Sequence, residues 1–125
     1  MKSFKIKQFD EKEEEIADAL ISLGLGRSVA RTLAYLQNLD EATSFELETG
    51  TVLRQPVVSI AIKQLKEWDW VNEREEKRPG KGRSYKIYSL KAGFNDIIAH
   101  LETQRKKDFN ETMATIKRLK EFGKD

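Results

Sequence analysis

The sequence predicts an α+β fold that is mostly α-helical. Apolar residues recur at helical spacing through most of the 125 residues, which favours amphipathic helices. Two short runs of strand-like composition, residues 70–74 and 85–90, flank a basic segment rich in glycine, as the two strands of a hairpin would. A further helical pattern from Phe94 to Phe122 would span about 43 Å at about 1.5 Å per residue, longer than any other predicted element.

Two helices are predicted before residue 40. The first begins after Asp10, because Asp10 and Glu13 have the spacing of a capping box, and it ends at Gly24. Its predicted apolar face consists of Ile16, Ala19, Leu20 and Leu23. The second helix runs from about Arg27 to Asn38, with Tyr35 at the edge of its apolar face. The inward residues of this helix are predicted to be Val29, Ala30, Leu33 and Leu36.

A short helix, a turn and a longer helix follow between residues 43 and 68. Thr43 and Glu46 again have capping-box spacing, and Gly50 is a natural stop, so the first of these helices is short. The apolar side of the short helix is predicted to consist of Phe45 and Leu47. The longer helix runs from about Gln55 to Trp68, because a proline at position 56 is favourable in a first turn. Its buried stripe is predicted to consist of Val58, Ala61, Ile62 and Leu65.

The opposite face of the longer helix carries side chains suited to reading DNA base edges. Gln55 can bond an adenine edge in bidentate fashion, Ser59 can bond either kind of partner, and an apolar tip can meet a thymine methyl group. The alternative is that Val57 and Ile60 pack against the short helix or the hairpin. Arg54 can reach either a phosphate or a guanine edge. The predicted outer face consists of Gln55, Val57, Ser59, Ile60 and Lys63.

The hairpin after this helix pair has a basic tip. Its strands are predicted at Trp70–Arg74 and Tyr85–Leu90, and Pro79-Gly80 and Gly82 mark the turn between them. A basic loop is often only a solvated surface, but at the tip of a hairpin beside such a helix pair it favours contact with phosphates or a minor groove. Gly80-Lys81-Gly82 lacks the spacing of a nucleotide-binding loop. The basic residues of the tip are Lys77, Arg78, Lys81 and Arg83.

These elements together predict a winged helix-turn-helix with a two-stranded β-wing and a long C-terminal helix. Residues 1–9 form an N-terminal arm, residues 10–92 the winged-helix DNA-binding domain, and residues 93–125 a C-terminal dimerisation helix. The arm is a loosely ordered terminus, an extra strand, or a segment that packs on a partner subunit.

The long C-terminal helix is predicted to form a homodimer. Its apolar stripe has no partner of matching length in the chain, so burial against a second copy is the economical explanation. The alternative is that the helix folds back on its own domain. The charged stretch at residues 105–108 interrupts the stripe and divides it into two halves. The predicted dimerisation residues are Phe94, Ile98, Leu101, Phe109, Met113, Ile116 and Leu119.

The pattern from Leu53 to Ser59, followed by Leu65 and Val71, resembles the recognition helix of ArsR- and MarR-type winged-helix repressors. The segments 23–31, 40–43 and 80–83, with Lys86 and Tyr88, are more similar to the archaeal TrmB-like branch. The resemblance covers about residues 20–90 and implies a dimeric, sequence-specific DNA-binding regulator. It places Arg54, Gln55, Val57, Ser59, Ile60 and Lys63 in the groove, and Lys81 and Arg83 on the wing.

The chain also departs from these families. Asp69 stands where they often have glycine, although Asp tolerates the left-handed conformation. The cysteines of metal-sensing ArsR proteins are absent, and the residues after the winged helix are too few for the sugar-binding domain of full-length TrmB-like regulators. The resemblance therefore implies DNA binding but no particular effector ligand.

Composition limits the other functions. The chain has no cysteine and one histidine, which excludes disulfides and thiolate metal sites, and no catalytic constellation is recognisable, so neither an enzyme nor a cofactor is predicted. No apolar run has the length of a membrane span, which favours a cytoplasmic protein. The net charge is only +2, but basic residues cluster at 77–86 and acidic residues at 10–15 and 41–48, a separation that suits a protein approaching a polyanion.

The predicted function is sequence-specific binding of double-stranded DNA by a homodimeric transcriptional regulator, with two recognition helices on a pseudo-palindromic operator. Two alternatives stay open: a winged-helix protein-interaction module of the transcription machinery, and a binder of RNA or single strands. The predicted DNA-binding residues are Thr43, Ser44, Arg54, Gln55, Val57, Ser59, Ile60, Lys63, Lys77, Arg78, Lys81 and Arg83.

Overall fold

The computed structural model describes residues 7–77 and 84–124. Helices α1 and α2 precede a short strand β1, helices α3 and α4 follow it, and strands β2 and β3 lead to a long helix α5. In the described part of the chain the strands form an antiparallel sheet in the order β1-β3-β2. The elements are α1 Glu11–Ser22, α2 Arg27–Leu36, β1 Ala42–Thr43, α3 Ser44–Thr51, α4 Gln55–Glu67, β2 Val71–Glu76, β3 Tyr85–Leu90 and α5 Phe94–Phe122.

The predicted fold class is confirmed: the protein is α+β, mostly helical, with a β-hairpin after a helix-turn-helix and a long C-terminal helix. The predicted two-stranded hairpin is present as β2 and β3, and β1, which was not predicted, adds a third strand to the sheet. Ala42 pairs with Tyr88 and Thr43 with Ile87. Two residues are too short a run to produce a strand pattern in a sequence, so pairing with β3 is what defines β1.

Both predicted capping boxes are present. The amide of Glu13 donates to Asp10 Oδ1 at 2.8 Å, and the amide of Asp10 donates to Glu13 Oε1 at 3.0 Å. At the start of α3 the amide of Glu46 donates to Thr43 Oγ1 at 3.1 Å, and the amide of Thr43 donates to Glu46 Oε1 at 2.9 Å. These bonds satisfy backbone donors that the first turn of each helix would otherwise leave unpaired.

The packing of α2 on α3 corrects two expectations. Tyr35, expected at an edge, is fully buried. Gly50 does not end α3, which continues to Thr51; a Cβ atom at position 50 would lie 2.3 Å from Cζ of Tyr35. Glycine is therefore needed at position 50 for space, and α3 ends instead at Val52, which has a left-handed backbone with φ 57°.

Two apolar faces also differ from their predictions. In α1 Ala19 is exposed and Ala17 is buried. In α3 Leu47 is buried as expected, but Phe45 is 66% exposed. Both differences arise because the neighbouring elements determine which side of each short helix is covered. Periodicity alone does not show this.

Residues 7–10 pack on the helices of their own chain. The ring of Phe9 stacks on that of Tyr35 with centroids 6.5 Å apart, and the guanidinium of Arg31 lies 4.0 Å from the Phe9 centroid. The Tyr35 hydroxyl donates to the Lys7 carbonyl at 2.6 Å, and the Lys7 ammonium pairs with the buried Glu13 carboxylate. This end of the predicted arm is thus anchored on α1 and α2, and residues 1–6 lie outside the described residues.

The chain divides into two compact units, one ending at Phe94 and the other beginning at Asn95. The second unit is α5, in which Ile97 and Leu101 are buried and Ile98 is half-buried. Beyond them a row of large apolar side chains is exposed, consisting of Phe109, Met113, Ile116, Leu119 and Phe122. Among the described residues no helix combines the length and apolar character needed to cross a membrane.

Candidate nucleic-acid interface

Helix α4 packs into the core through one apolar face. Its predicted stripe, Val58, Ala61, Ile62 and Leu65, is buried. The first turn is closed by the carbonyl of Arg54, which accepts the amides of Val57 and Val58 at 3.0 Å each, and Pro56 lies within that turn. Because burial of the stripe determines the rotation of α4 about its axis, the opposite face must point away from the core.

That opposite face is uncovered, as predicted. Ile60 is 68% exposed and Val57 is 36% exposed, so the alternative in which both pack within the subunit is wrong. Gln55 Nε2 donates to Ser59 Oγ at 2.7 Å, one turn further along the helix. Gln55 keeps its amide oxygen and its second N–H, the acceptor and donor that a bidentate contact with adenine requires. Arg54, the N-cap residue, and Lys63, in the second half of the helix, are both exposed.

The turn before α4 is held by a buried arginine that the sequence did not reveal. Arg31 Nε and Nη2 donate to the carbonyl of Thr51 at 3.1 and 2.9 Å, and Nη1 donates to both carboxylate oxygens of Glu14 at 3.0 Å. The Thr51 carbonyl is at the C-terminal end of α3, where no intrahelical donor is available. Arg31 therefore holds Thr51 in place, and the turn to α4 begins after this residue. Its position among apolar residues in α2 was the signal for burial.

Thr43 and Ser44 occupy the start of α3. The Thr43 hydroxyl oxygen accepts the Glu46 amide, so this side chain already serves the helix cap, while its hydroxyl proton is left for another acceptor. Ser44 is half-buried in the first helical position.

Strands β2 and β3 are paired from Val71↔Leu90 to Glu76↔Tyr85. Arg74 ties β2 to the chain before β1, because its Nη2 donates to Glu41 at 2.7 Å and its Nη1 donates to Glu76 at 2.8 Å. These bonds raise the pKa of Arg74, and the bond to Glu41 is the larger cause. Lys77 is exposed after β2, and the predicted contacts Arg78, Lys81 and Arg83 lie outside the described residues.

A groove of about 450 Å³ separates α4 from the hairpin. The α4 side is lined by Ser59, Lys63 and Lys66, and the sheet side by Glu73, Lys86 and Tyr88. Of these, Ser59 and Lys63 were predicted as DNA contacts, while Lys66 and Glu73 were not. Positions 59, 63 and 66 share one helix face, so helical spacing would have pointed to Lys66. The place of Glu73 depends on the strand register, which the sequence does not show.

The described residues contain no group of three or more histidine, cysteine or acidic side chains arranged to hold a metal ion. The exposed chemistry of α4 and of the groove is hydrogen bonding and positive charge, which suits recognition of a polyanion by contact.

Comparison with known proteins supports the fold. No model of a protein family matches the chain, and no curated protein matches it. Among solved structures, a possible transcriptional regulator from Methanosarcina mazei Go1 is similar over 94% of this chain and 95% of its own, with a TM-score of 0.63 and 18% identity. A MarR family transcriptional regulator from Silicibacter pomeroyi is similar over 89% of this chain and 78% of its own, with a TM-score of 0.52 and 19% identity.

The Multiple Antibiotic Resistance Repressor, MarR, is similar over 84% of this chain and 75% of its own, with a TM-score of 0.50 and 15% identity. At these identities the likeness concerns the fold alone. The fold is that of winged-helix proteins, and these solved structures described as transcriptional regulators share it.

Proposed function

We propose that this protein is a transcriptional regulator that binds double-stranded DNA in a sequence-specific manner as a homodimer. The observation that carries the proposal is the uncovered face of α4, where hydrogen-bonding and apolar side chains stand beside a lysine-lined groove. The winged-helix fold supports it, because in this arrangement the second helix of the motif enters the major groove. Residues 10–92 would bind DNA, and the resemblance to the TrmB-like branch stays a prediction.

In this proposal α4 reads base edges and its flanks meet the backbone. The Gln55–Ser59 pair is already hydrogen-bonded, so less side-chain entropy is lost when Gln55 meets a base. Val57 and Ile60 would contact thymine methyl groups, which explains apolar side chains on an otherwise polar face. Arg54 and Lys63, at its margins, would contact phosphates or a guanine edge.

Gln55→Ala is expected to weaken binding to the preferred duplex by about 1–3 kcal/mol and to relax the preference at one base pair, because a bidentate base contact is lost. The preferred duplex would first be found by selection from random sequences with the full chain. Affinities would then be measured by fluorescence anisotropy on that duplex and on its single-base variants.

The matched control is Gln104→Ala on α5. Gln104 is also an exposed helical glutamine whose Nε2 donates to a residue four positions on, Asp108 Oδ1, at 3.2 Å. Its removal should leave the affinity unchanged. Equal affinity and equal base preference for Gln55→Ala and the wild type would show that α4 does not read bases as proposed.

The dimer is proposed from the exposed row on α5. Phe109, Met113, Ile116 and Leu119 lie on one side of the helix, because their spacings of four, three and three residues follow the helical period. A contiguous apolar row on a helix surface is typical of an interaction site, and a second copy of the same helix offers a surface of equal length. Residues 93–125 would therefore form the dimerisation helix.

Replacing Met113 and Ile116 together by glutamate is expected to convert the dimer to a monomer, because two charges would be buried in an apolar seam. Sedimentation equilibrium would measure the mass. Ala114→Glu, on the opposite side of α5, is the control and should keep the mass of the wild type. A double variant that still sediments as a dimer would place the interface elsewhere.

A winged-helix protein-interaction module is the second candidate function. It is favoured by two exposed apolar side chains, Phe45 in the first turn of α3 and Val52 at its C-terminal cap. Duplex binding that survives an excess of competitor DNA would decide for the regulator. Absence of duplex binding by the folded protein would rule out the regulator and leave the interaction module and the binder of RNA or single strands.

A further inference from the structure

One carboxylate in the groove stands between two ammonium groups. Glu73 Oε1 lies 3.1 Å from Lys66 Nζ, and Glu73 Oε2 lies 3.8 Å from Lys86 Nζ. The Glu73 side chain is 22% exposed, less than either lysine. Each oxygen of Glu73 thus has its own cation, and both cations lie along a groove that is otherwise open to solvent.

The strand register explains how these groups come together. Glu73 is paired with Tyr88, and Lys86 is paired with Glu75, so all four side chains point to the same side of the sheet. Lys86 is directly opposite Glu75, yet its ammonium is close to the diagonal residue Glu73. Lys66 reaches Glu73 from α4, across the groove.

The groove is continuous with the face proposed to read DNA. Ser59 and Lys63 belong to both, since they are exposed on α4 and also line the groove. A duplex seated on α4 would therefore bring its sugar–phosphate backbone to Lys63, Lys66 and Lys86. These three lysines share the groove with two acids, Glu67 and Glu73. Of the two, Glu73 is the one paired with lysines across the groove.

We propose that this groove binds a backbone phosphate of duplex DNA, and that Glu73 acts as an internal counter-ion that the phosphate must displace from Lys66 and Lys86. This inference rests on the proposed DNA binding and extends it to residues that contact the DNA backbone and not the bases. In the free protein the single charge of Glu73 lies between the two lysines and offsets one of their two positive charges, and in the complex it repels the phosphate. Glu73 therefore weakens binding to every sequence and lowers its dependence on salt.

The test compares Glu73→Gln with Glu75→Gln on a random-sequence duplex. Both changes remove one negative charge from the same face of β2, but among the described residues the Glu75 carboxylate has only a weak contact, 3.5 Å from Ser84 Oγ. Glu73→Gln should raise the affinity roughly tenfold at low salt and steepen the slope of log K against log salt by about one. Glu75→Gln should change the affinity by less than about twofold, because it frees no lysine for a phosphate.

Lysine variants complete the test. In the wild-type background the single charge of Glu73 offsets one of the two ammonium charges, so Lys66→Gln and Lys86→Gln should each weaken binding by less than in the Glu73→Gln background. In the Glu73→Gln background each should remove about one unit of the salt slope. The ion pairs are partly exposed, so the variants should fold, which thermal denaturation followed by circular dichroism would confirm.

Each outcome decides a different point. Equal affinities for Glu73→Gln and Glu75→Gln, or weaker binding by Glu73→Gln, would overturn the counter-ion inference and leave the DNA-binding proposal in place. A folded wild type and a folded Glu73→Gln that both bind no duplex would overturn the proposed function and this inference with it.

Discussion

Replacing Gly50 by alanine is expected to destabilise the protein by about 3 kcal/mol or more, the upper end of what overpacking a core costs. The added Cβ would lie 2.3 Å from Cζ and 2.4 Å from the hydroxyl oxygen of Tyr35. The Tyr35 ring cannot swing away, because it is fully buried, stacks on Phe9 and donates its hydroxyl to the Lys7 carbonyl. Burial, with the charges of Glu46 and Glu13, raises the pKa of Tyr35 to about 12, so the hydroxyl stays a donor even in alkaline solution that would ionise a free tyrosine.

Urea denaturation of the variant and the wild type would measure this loss. Gly26→Ala is the matched control: among the described residues other than its own chain neighbours, none has an atom within 4 Å of a Cβ at position 26, and the backbone there, φ −64°, is open to alanine. It should change the free energy of unfolding by less than about 1 kcal/mol. Tyr35→Leu in the Gly50→Ala background would remove the clashing atoms. The double variant should therefore lose less free energy of unfolding than the sum of the two single-variant losses. Additive losses would mean that Tyr35 is not what position 50 must avoid.

Arg31→Ala is expected to lower the free energy of unfolding by about 3 kcal/mol. The change leaves the buried Thr51 carbonyl without its two donors and removes the cation from the Phe9 ring. Arg31→Lys should recover only part of the loss, because an ammonium cannot reproduce the planar fork that meets the carbonyl and Glu14 together. The midpoint of urea unfolding would measure each variant.

Two controls separate the contributions at Arg31. Glu14→Gln should cost less than about 1 kcal/mol, since the Glu14 side chain is half exposed and can be hydrated. Arg27→Ala tests an exposed arginine of the same helix and should have little effect. If Glu14→Gln costs as much as Arg31→Ala, the ion pair and not the Thr51 carbonyl would be the reason for a buried arginine.

Local patterns predicted the parts of the fold that local physics determines. The two capping boxes, the buried stripe of α4 and the limits of α5 each depend on residues close in sequence, so spacing was sufficient. The left-handed conformation expected to be tolerated at Asp69 is also present, with φ 63°. The exposed face of α4 followed, because a helix with one buried stripe must present the other side to solvent.

Tertiary contacts determined what the sequence did not reveal. Gly50 looks like a helix stop until Tyr35 is placed against it, and Arg31 looks like a surface residue until the Thr51 carbonyl is seen beside it. The carboxylate of Glu73 joins Lys66 and Lys86 only through the register of β2 on β3 and the seating of α4. Such contacts bring together residues far apart in sequence, and neither periodicity nor composition records them.

Thr43 ends β1 and also provides the hydroxyl that caps α3. Strand β1 is therefore joined to α3 at a single residue, with no linker to absorb a movement. A force that strips β1 from β3 would also uncap α3, so the hairpin and the helix-turn-helix are expected to open as one cooperative unit.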